Sequence, residues 1–101
     1  NSVNMALESI AGIMKSRRIP YFTNNPNDVD KGAFLSIGAD YREVGRETGK
    51  MAVRVIRGES PQTLPINNFV PEKMAINLAL AREFGVTIPA ATIKRAAVVR
   101  Q

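Results

Sequence analysis

Residues 41–58, YREVGRETGKMAVRVIRG, constrain the fold more than any other stretch, because they hold a start signal, an apolar stripe and a stop for one amphipathic helix. Asp40 can accept hydrogen bonds from the free N–H groups of the first turn, and Glu43, three residues on, completes a variant capping box. Tyr41, Val44, Thr48, Met51, Ala52, Val55 and Ile56 recur at steps of three and four, which predicts one buried face. Gly58 suits the left-handed position just past the helix end. Gly45 and Gly49 each cost about 1 kcal/mol relative to alanine inside a helix, so the sequence predicts a backbone neighbour close enough to recover that loss.

A chain of 101 residues with 45% hydrophobic content is one small domain or a piece of a larger one, with enough apolar side chain for a core. No apolar run is long enough to cross a bilayer, and the first residues lack the order of a signal peptide, so the leader of an exported protein would lie outside this sequence. With no cysteine and no histidine, disulfides, thiolate sites, zinc sites and triad chemistry are excluded. The net charge of +5 is spread along the chain, which is weak support for a nucleic-acid or anionic partner.

In chain order, residues 1–18 place Val3, Leu7, Ile10, Ala11 and Met14 at helical spacing before the basic cluster Lys15, Arg17 and Arg18, which suits a helix C-terminus. Residues 19–22 read as a short buried strand. Asn25 then caps a short helix that opens on Pro26 and ends before Gly32. Residues 33–38, AFLSIG, read as a second strand of nearly continuous apolar character, the kind covered on both faces of a parallel sheet. After the central helix, residues 59–65 form a connector with two prolines. Residues 66–70 read as an edge strand and 74–77 as a short strand. Asn77 caps a helix that stops at Gly85, residues 86–89 are extended, and 89–98 read as a final helix with Ile93, Ala96 and Ala97 inward.

Thr23, Asn24 and Asn25 directly follow a buried strand, where open α/β sheets present loops to ligands. Their hydroxyl and amide groups can fix an ammonium or a carboxylate, and they equally suit a turn and a helix cap. Arg42, Arg46, Lys50, Arg54 and Arg57 form a basic stripe, but Glu43 and Glu47 stand three residues from Arg46 and Lys50 and read as ion-pair partners on a solvated face. No pair of acids converges for acid–base work and no phosphate-binding glycine pattern is present, so neither an enzyme nor a cofactor is expected.

Three stretches, IPYFTNNPNDVDKGA, SIGADYREVGRETGKMAVRVIRGESP and LPINNFVPEKMAINLALAREFGVTIP, together resemble the C-terminal third of ABC-transporter solute-binding proteins of the tryptophan or aromatic amino-acid type. The likeness runs over nearly the whole chain, with the GA, G-x-DY, RG-E-P and IN-LA-A-FG-TIP elements in order. It implies a fragment of a type I periplasmic-binding fold: α/β, doubly wound parallel sheets in two lobes, incomplete in this chain and therefore oligomeric in isolation. By that likeness residues 1–32 and 63–101 belong to the second lobe and 33–62 to the first. The likeness assigns Thr23, Asn24 and Asn25 to ligand binding, and adds Asn1, which is also a helix cap and matches the asparagine of an Asp-Asn pair beside the family's cleft. Asp40 and Tyr41 match the family's DY but are accounted for as cap and core. The implied function is capture of a small molecule such as an amino acid by cleft closure and its delivery to an ABC permease in the membrane. It places the protein in the periplasm or, attached to the membrane, outside the cell, and it implies no nucleic acid. Two other readings are a homodimeric interaction domain built on the glycine-notched helix with its basic face, and the effector domain of a transcription regulator, although no helix-turn-helix lies within the chain.

Overall fold

A computed structural model describes residues 2–65 and 70–101, the side chains of Val3 and Asn4 excepted. Asn1 and residues 66–69, where most of the expected edge strand falls, lie outside the described residues. Two compact units are present, residues 1–38 with 73–101, and Ala39–Glu72.

The first unit opens with helix α1 (Ser2–Ser16), which buries Leu7 and Ala11. It ends at Arg18, in the left-handed region at φ 53°. There the Ile19 N–H returns to Met14 O at 2.9 Å and the Arg18 N–H to Lys15 O at 3.0 Å, the paired bonds that close a helix C-terminus. This closure uses the backbone of residues expected to start a strand. Strand β1 is accordingly shorter and later than 19–22, comprising Phe22–Thr23, and Ile19 is left exposed. A 3-10 turn, Pro26–Lys31, follows with Asn25 as its cap, Pro26 at its start and Gly32 at φ 98° beyond its end, as the sequence predicts.

Strands β2 (Leu35–Ala39), β3 (Glu72–Asn77) and β4 (Val98–Arg100) complete a sheet of order β1-β2-β3-β4 among the described residues. β1 runs parallel to β2, with Phe22 opposite Leu35 and Thr23 opposite Ser36, and β3 runs parallel to β4, with Ile76 opposite Val99. Between β2 and β3 the order of pairing reverses. Asn77 N–H reaches Phe34 O and Asp40 N–H reaches Pro71 O, so chain numbers fall on one strand as they rise on the other, which makes this pair antiparallel. β2 therefore joins the sheet of the first unit, whereas the sequence grouped residues 33–38 with the central helix. The two units part at 38/39 and 72/73.

Helix α3 (Leu78–Phe84) is capped by Asn77, whose Oδ1 accepts from Leu80 N–H at 3.0 Å, and it stops at Gly85 with φ 71°. Helix α4 (Ala90–Arg95) is shorter than the expected helix over 89–98. Val98 instead joins Val99 and Arg100 in β4, where β-branched side chains pack well on a pleated surface, and Ala97 is exposed instead of inward. The core joins Phe34, Leu80 and Ala81 to Leu35, Phe84 and Ile88.

Asp30 and Arg100 meet in a two-point ion pair, Nε to Oδ1 at 2.5 Å and Nη2 to Oδ2 at 3.0 Å, and tie β4 to the 3-10 turn. The hydrogen bonds from Arg100 hold the Asp30 carboxyl below its ordinary pKa. A carboxylate depressed in the folded state contributes stability that is present above its unfolded pKa and lost as pH falls through the folded one. Thermal melts of wild type and Arg100→Gln should therefore differ most near neutral pH and converge on acidification below the ordinary aspartate range. A difference that does not narrow on acidification would rule the pair out as its source.

In the second unit, helix α2 (Tyr41–Ile56) is capped as predicted: Asp40 Oδ1 accepts from Arg42 N–H at 3.1 Å and from Glu43 N–H at 3.3 Å. The return half of the capping box is not made, because Asp40 N–H already donates to Pro71 O at 2.8 Å and Glu43 lies 3.4 Å from Arg46. Gly58 is left-handed at φ 98°, and the basic stripe is salted by Lys50–Glu47 and Arg54–Glu59 pairs, consistent with a solvated face.

The expectation of a buried apolar face fails: no residue of α2 is buried, Tyr41 is 76% exposed and Ile56 83%. Among the described residues the close neighbour expected at Gly45 and Gly49 is also missing, with nothing within 4 Å of a Cβ built at either position. Helical periodicity reports that a face has a partner, and the described residues of the second unit supply little of one. In this 101-residue chain Gly49→Ala should consequently raise stability by about 0.5–1 kcal/mol, since alanine regains backbone entropy without meeting an atom. A lowered urea midpoint for this variant would mean that the face is covered.

Candidate functional site

The loop at the carboxyl end of β1 gathers three of the four residues singled out from the sequence. Its geometry starts from the parallel register of Thr23 with Ser36. In a parallel pair the side chains of opposed residues share a face, and here the two hydroxyls meet, Oγ to Oγ1 at 2.7 Å, with Ser36 fully buried and Thr23 half-buried. Thr23 Oγ1 also donates to Asn25 O at 3.3 Å, so the hydroxyl fastens both the strand and the turn.

Asn25 performs the cap role: its Oδ1 accepts from Asn27 N–H at 3.2 Å, while Asp28 N–H donates to Asn25 O at 2.9 Å. Pro26 supplies the fixed φ that starts the turn, and it is buried with Asp28 and Val29. Asn24 differs from its neighbours. It is exposed, and its carboxamide has no hydrogen-bond partner among the described residues.

Ligand-capable chemistry is therefore unequally shared. Asn24 presents both an amide donor and a carbonyl acceptor, Asn25 retains its Nδ2, and the Thr23 hydroxyl is largely committed within the chain. These are neutral groups, able to meet both ends of a zwitterion without repelling either. Asn1 lies outside the described residues.

Sequence reasoning missed the residue beneath this loop. A Cβ on Gly38 would overlap the carbonyl oxygen of Asn24 and stand 2.7 Å from its carbonyl carbon and 3.2 Å from Pro26 Cδ. The signal was a glycine near the end of an apolar strand, which often marks close backbone approach.

The second unit holds a separate open groove of about 770 Å³ along α2, lined by Val44, Met51, Pro65, Val70 and Pro71 with Glu43, Glu47, Lys50 and Arg54 around them. It contains none of the residues singled out for ligand contact.

The family model for ABC transporter substrate binding protein matches residues 1–100. Among solved structures, the chain is similar to a conserved domain protein from Vibrio cholerae O1 biovar El Tor, at TM-score 0.75 and 28% identity, covering 99% of this chain and 34% of that one. It is likewise similar to an ABC domain in complex with L-Trp from Streptococcus pneumoniae, at TM-score 0.74 and 31% identity, covering 98% of this chain and 34% of that one. A curated relative, the tyrosine-binding protein of Clostridioides difficile, is 23% identical over 77 residues, which are 76% of this chain and 22% of the relative. The chain thus spans about a third of the length of these solved structures and about a fifth of that curated relative.

Proposed function

Since the chain belongs to the ABC transporter substrate-binding protein family, we propose that it works as part of a two-lobed solute-binding protein outside the cytoplasmic membrane, which captures an aromatic amino acid and delivers it to an ABC permease. The observation that carries this reading is the polar loop Thr23, Asn24 and Asn25 at the carboxyl end of a parallel strand, with Asn24 exposed, in a chain whose fold matches a structure bound to L-Trp. The tyrosine-binding relative supports the same ligand class. No bond is made or broken: ligand contacts stabilise a closed cleft over an open one, and the difference in contact energy sets the closed population.

On this reading the unit of residues 1–38 and 73–101 is part of one lobe and Ala39–Glu72 part of the other. The open apolar face of α2 is then where further elements of its lobe pack.

Within the loop, Asn24 is assigned the principal contact, Asn25 a lesser one and Thr23 chiefly the task of holding the loop; Asn1 is retained as a contact by resemblance alone. A hydrogen bond to a charged ligand group is worth about 1.5–3 kcal/mol, so Asn24→Ala in the full-length protein should weaken L-tryptophan or L-tyrosine binding roughly ten- to a hundredfold. Titration calorimetry measures this, with a thermal melt to show that the fold survives. Unchanged affinity in Asn24→Ala and in Thr23→Ala would leave the loop as a turn and a cap only.

A further inference from the structure

The described glycines differ in what surrounds them, and one stands apart. Among the described residues, Gly12, Gly45, Gly49, Gly58 and Gly85 have nothing within 4 Å of an added Cβ, and Gly32 meets only the side-chain Cβ of Ala11 at 3.0 Å. Gly38 alone would strike backbone, that of Asn24. A flexible side chain can swing away from such a contact, but a peptide group can move only if the loop that carries it moves.

We infer that Gly38 is a positioning residue of the ligand loop: its missing side chain lets the Asn24 peptide rest directly on β2, and that contact sets where the Asn24 carboxamide stands. The inference rests on the site reading proposed above and adds to it a residue that need not touch ligand.

The geometry leaves the loop few other places to be. Ser36 and Gly38 are two residues apart on one strand and so face the same side of the sheet. At the first position a fully buried hydroxyl holds Thr23 at 2.7 Å, and at the second a bare backbone admits Asn24. Beyond Asn24 the chain is held again, by the Asn25 cap on Asn27 and by Pro26 against the same glycine at 3.2 Å from its Cβ position. The loop is anchored before and after Asn24, so a methyl group at position 38 would concentrate its displacement on the Asn24 peptide. Sites held in place before binding lose less free energy on ordering, and misplacement of a single contact group is enough to forfeit it.

The test uses the full-length protein, L-tryptophan as the probe, and the variants Gly38→Ala, Asn24→Ala and the two combined. Gly38→Ala should weaken binding at least tenfold while the protein still melts cooperatively. Adding Asn24→Ala to it should weaken binding by less than a further twofold, because the carboxamide is already out of place, and such coupling would not arise from a general loss of stability. Affinity within twofold of wild type in Gly38→Ala, or a double variant whose loss equals the product of the single losses, would overturn the inference. Should Gly38→Ala not fold, Ser36→Ala, which frees the loop without adding bulk, replaces it in the same cycle with the same two outcomes. Wild-type affinity in Asn24→Ala would overturn this inference, and wild-type affinity in Thr23→Ala as well would overturn the site reading itself, which is recognisable because neither result depends on position 38.

Discussion

Phe34→Ala is expected to lower the unfolding free energy by about 3–5 kcal/mol, the range for deleting a buried aromatic ring from a packed core. Phe34 is 5% exposed and its ring lies between two others, stacked on Phe84 at 6.1 Å and tilted against Phe22 at 5.8 Å. Its backbone is equally committed, with its N–H donating to Tyr21 O at 2.8 Å and its C=O accepting from Asn77 N–H at 3.0 Å. The residue thus lies where the β1 and β3 regions both join β2. For a domain of this size each kcal/mol is about 4–8 °C in melting temperature, so the loss is readily measured. Phe22→Ala is the control: Phe22 is 60% exposed, and its removal should cost about 1 kcal/mol, the worth of one aromatic pair. Equal losses in the two variants would show that the core is not centred on Phe34.

Ile76→Ala should cost about 2–5 kcal/mol, while Ile76→Val should cost only about 0.5–1.5 kcal/mol. Ile76 is fully buried in β3, a strand flanked on both sides, with Val99 opposite it on β4. Strands fixed by hydrogen bonds on both edges cannot close over a cavity, so truncation there approaches the upper part of the range. Native proteins have only about 5–15 kcal/mol to lose, which makes this a substantial fraction of the total. Urea unfolding with an unchanged slope and a lower midpoint is the expected signature. If alanine and valine cost the same, the sheet relaxes around the site and the cavity argument fails.

What the sequence disclosed divides along physical lines. Asp40, Asn25 and Asn77 cap the elements they were expected to cap, and Gly32, Gly58 and Gly85 take positive φ, because caps and left-handed glycines act within a few residues. Features that depend on distant partners were harder to see. Val98 continues a helical pattern, and only the presence of β3 beside it makes a strand. The stripe on α2 announced a partner without saying whether the partner lay within these residues, and Gly45 and Gly49 were misread for the same reason.

The candidate loop shows the same division. Asn25 before Pro26 was legible as a cap, and Thr23 and Asn24 were legible as polar groups after a strand. That Thr23 would spend its hydroxyl on Ser36 was not legible, because the register of β1 against β2 brings together residues thirteen apart. Gly38 was equally hidden as a support for Asn24.

The pairing of β2 with β3 has a consequence for how the chain tolerates change in length. These strands are neighbours in the sheet, yet residues 40–71 separate them in the chain, and the Asp40–Pro71 hydrogen bond of 2.8 Å joins the two ends of that segment. Topologically the second unit is an insertion at a hairpin. The entropy of closing such a loop rises only with the logarithm of its length, about 0.6 kcal/mol for each doubling. Residues can therefore be gained or lost within that segment over generations while the register of the sheet that bears the candidate loop stays the same.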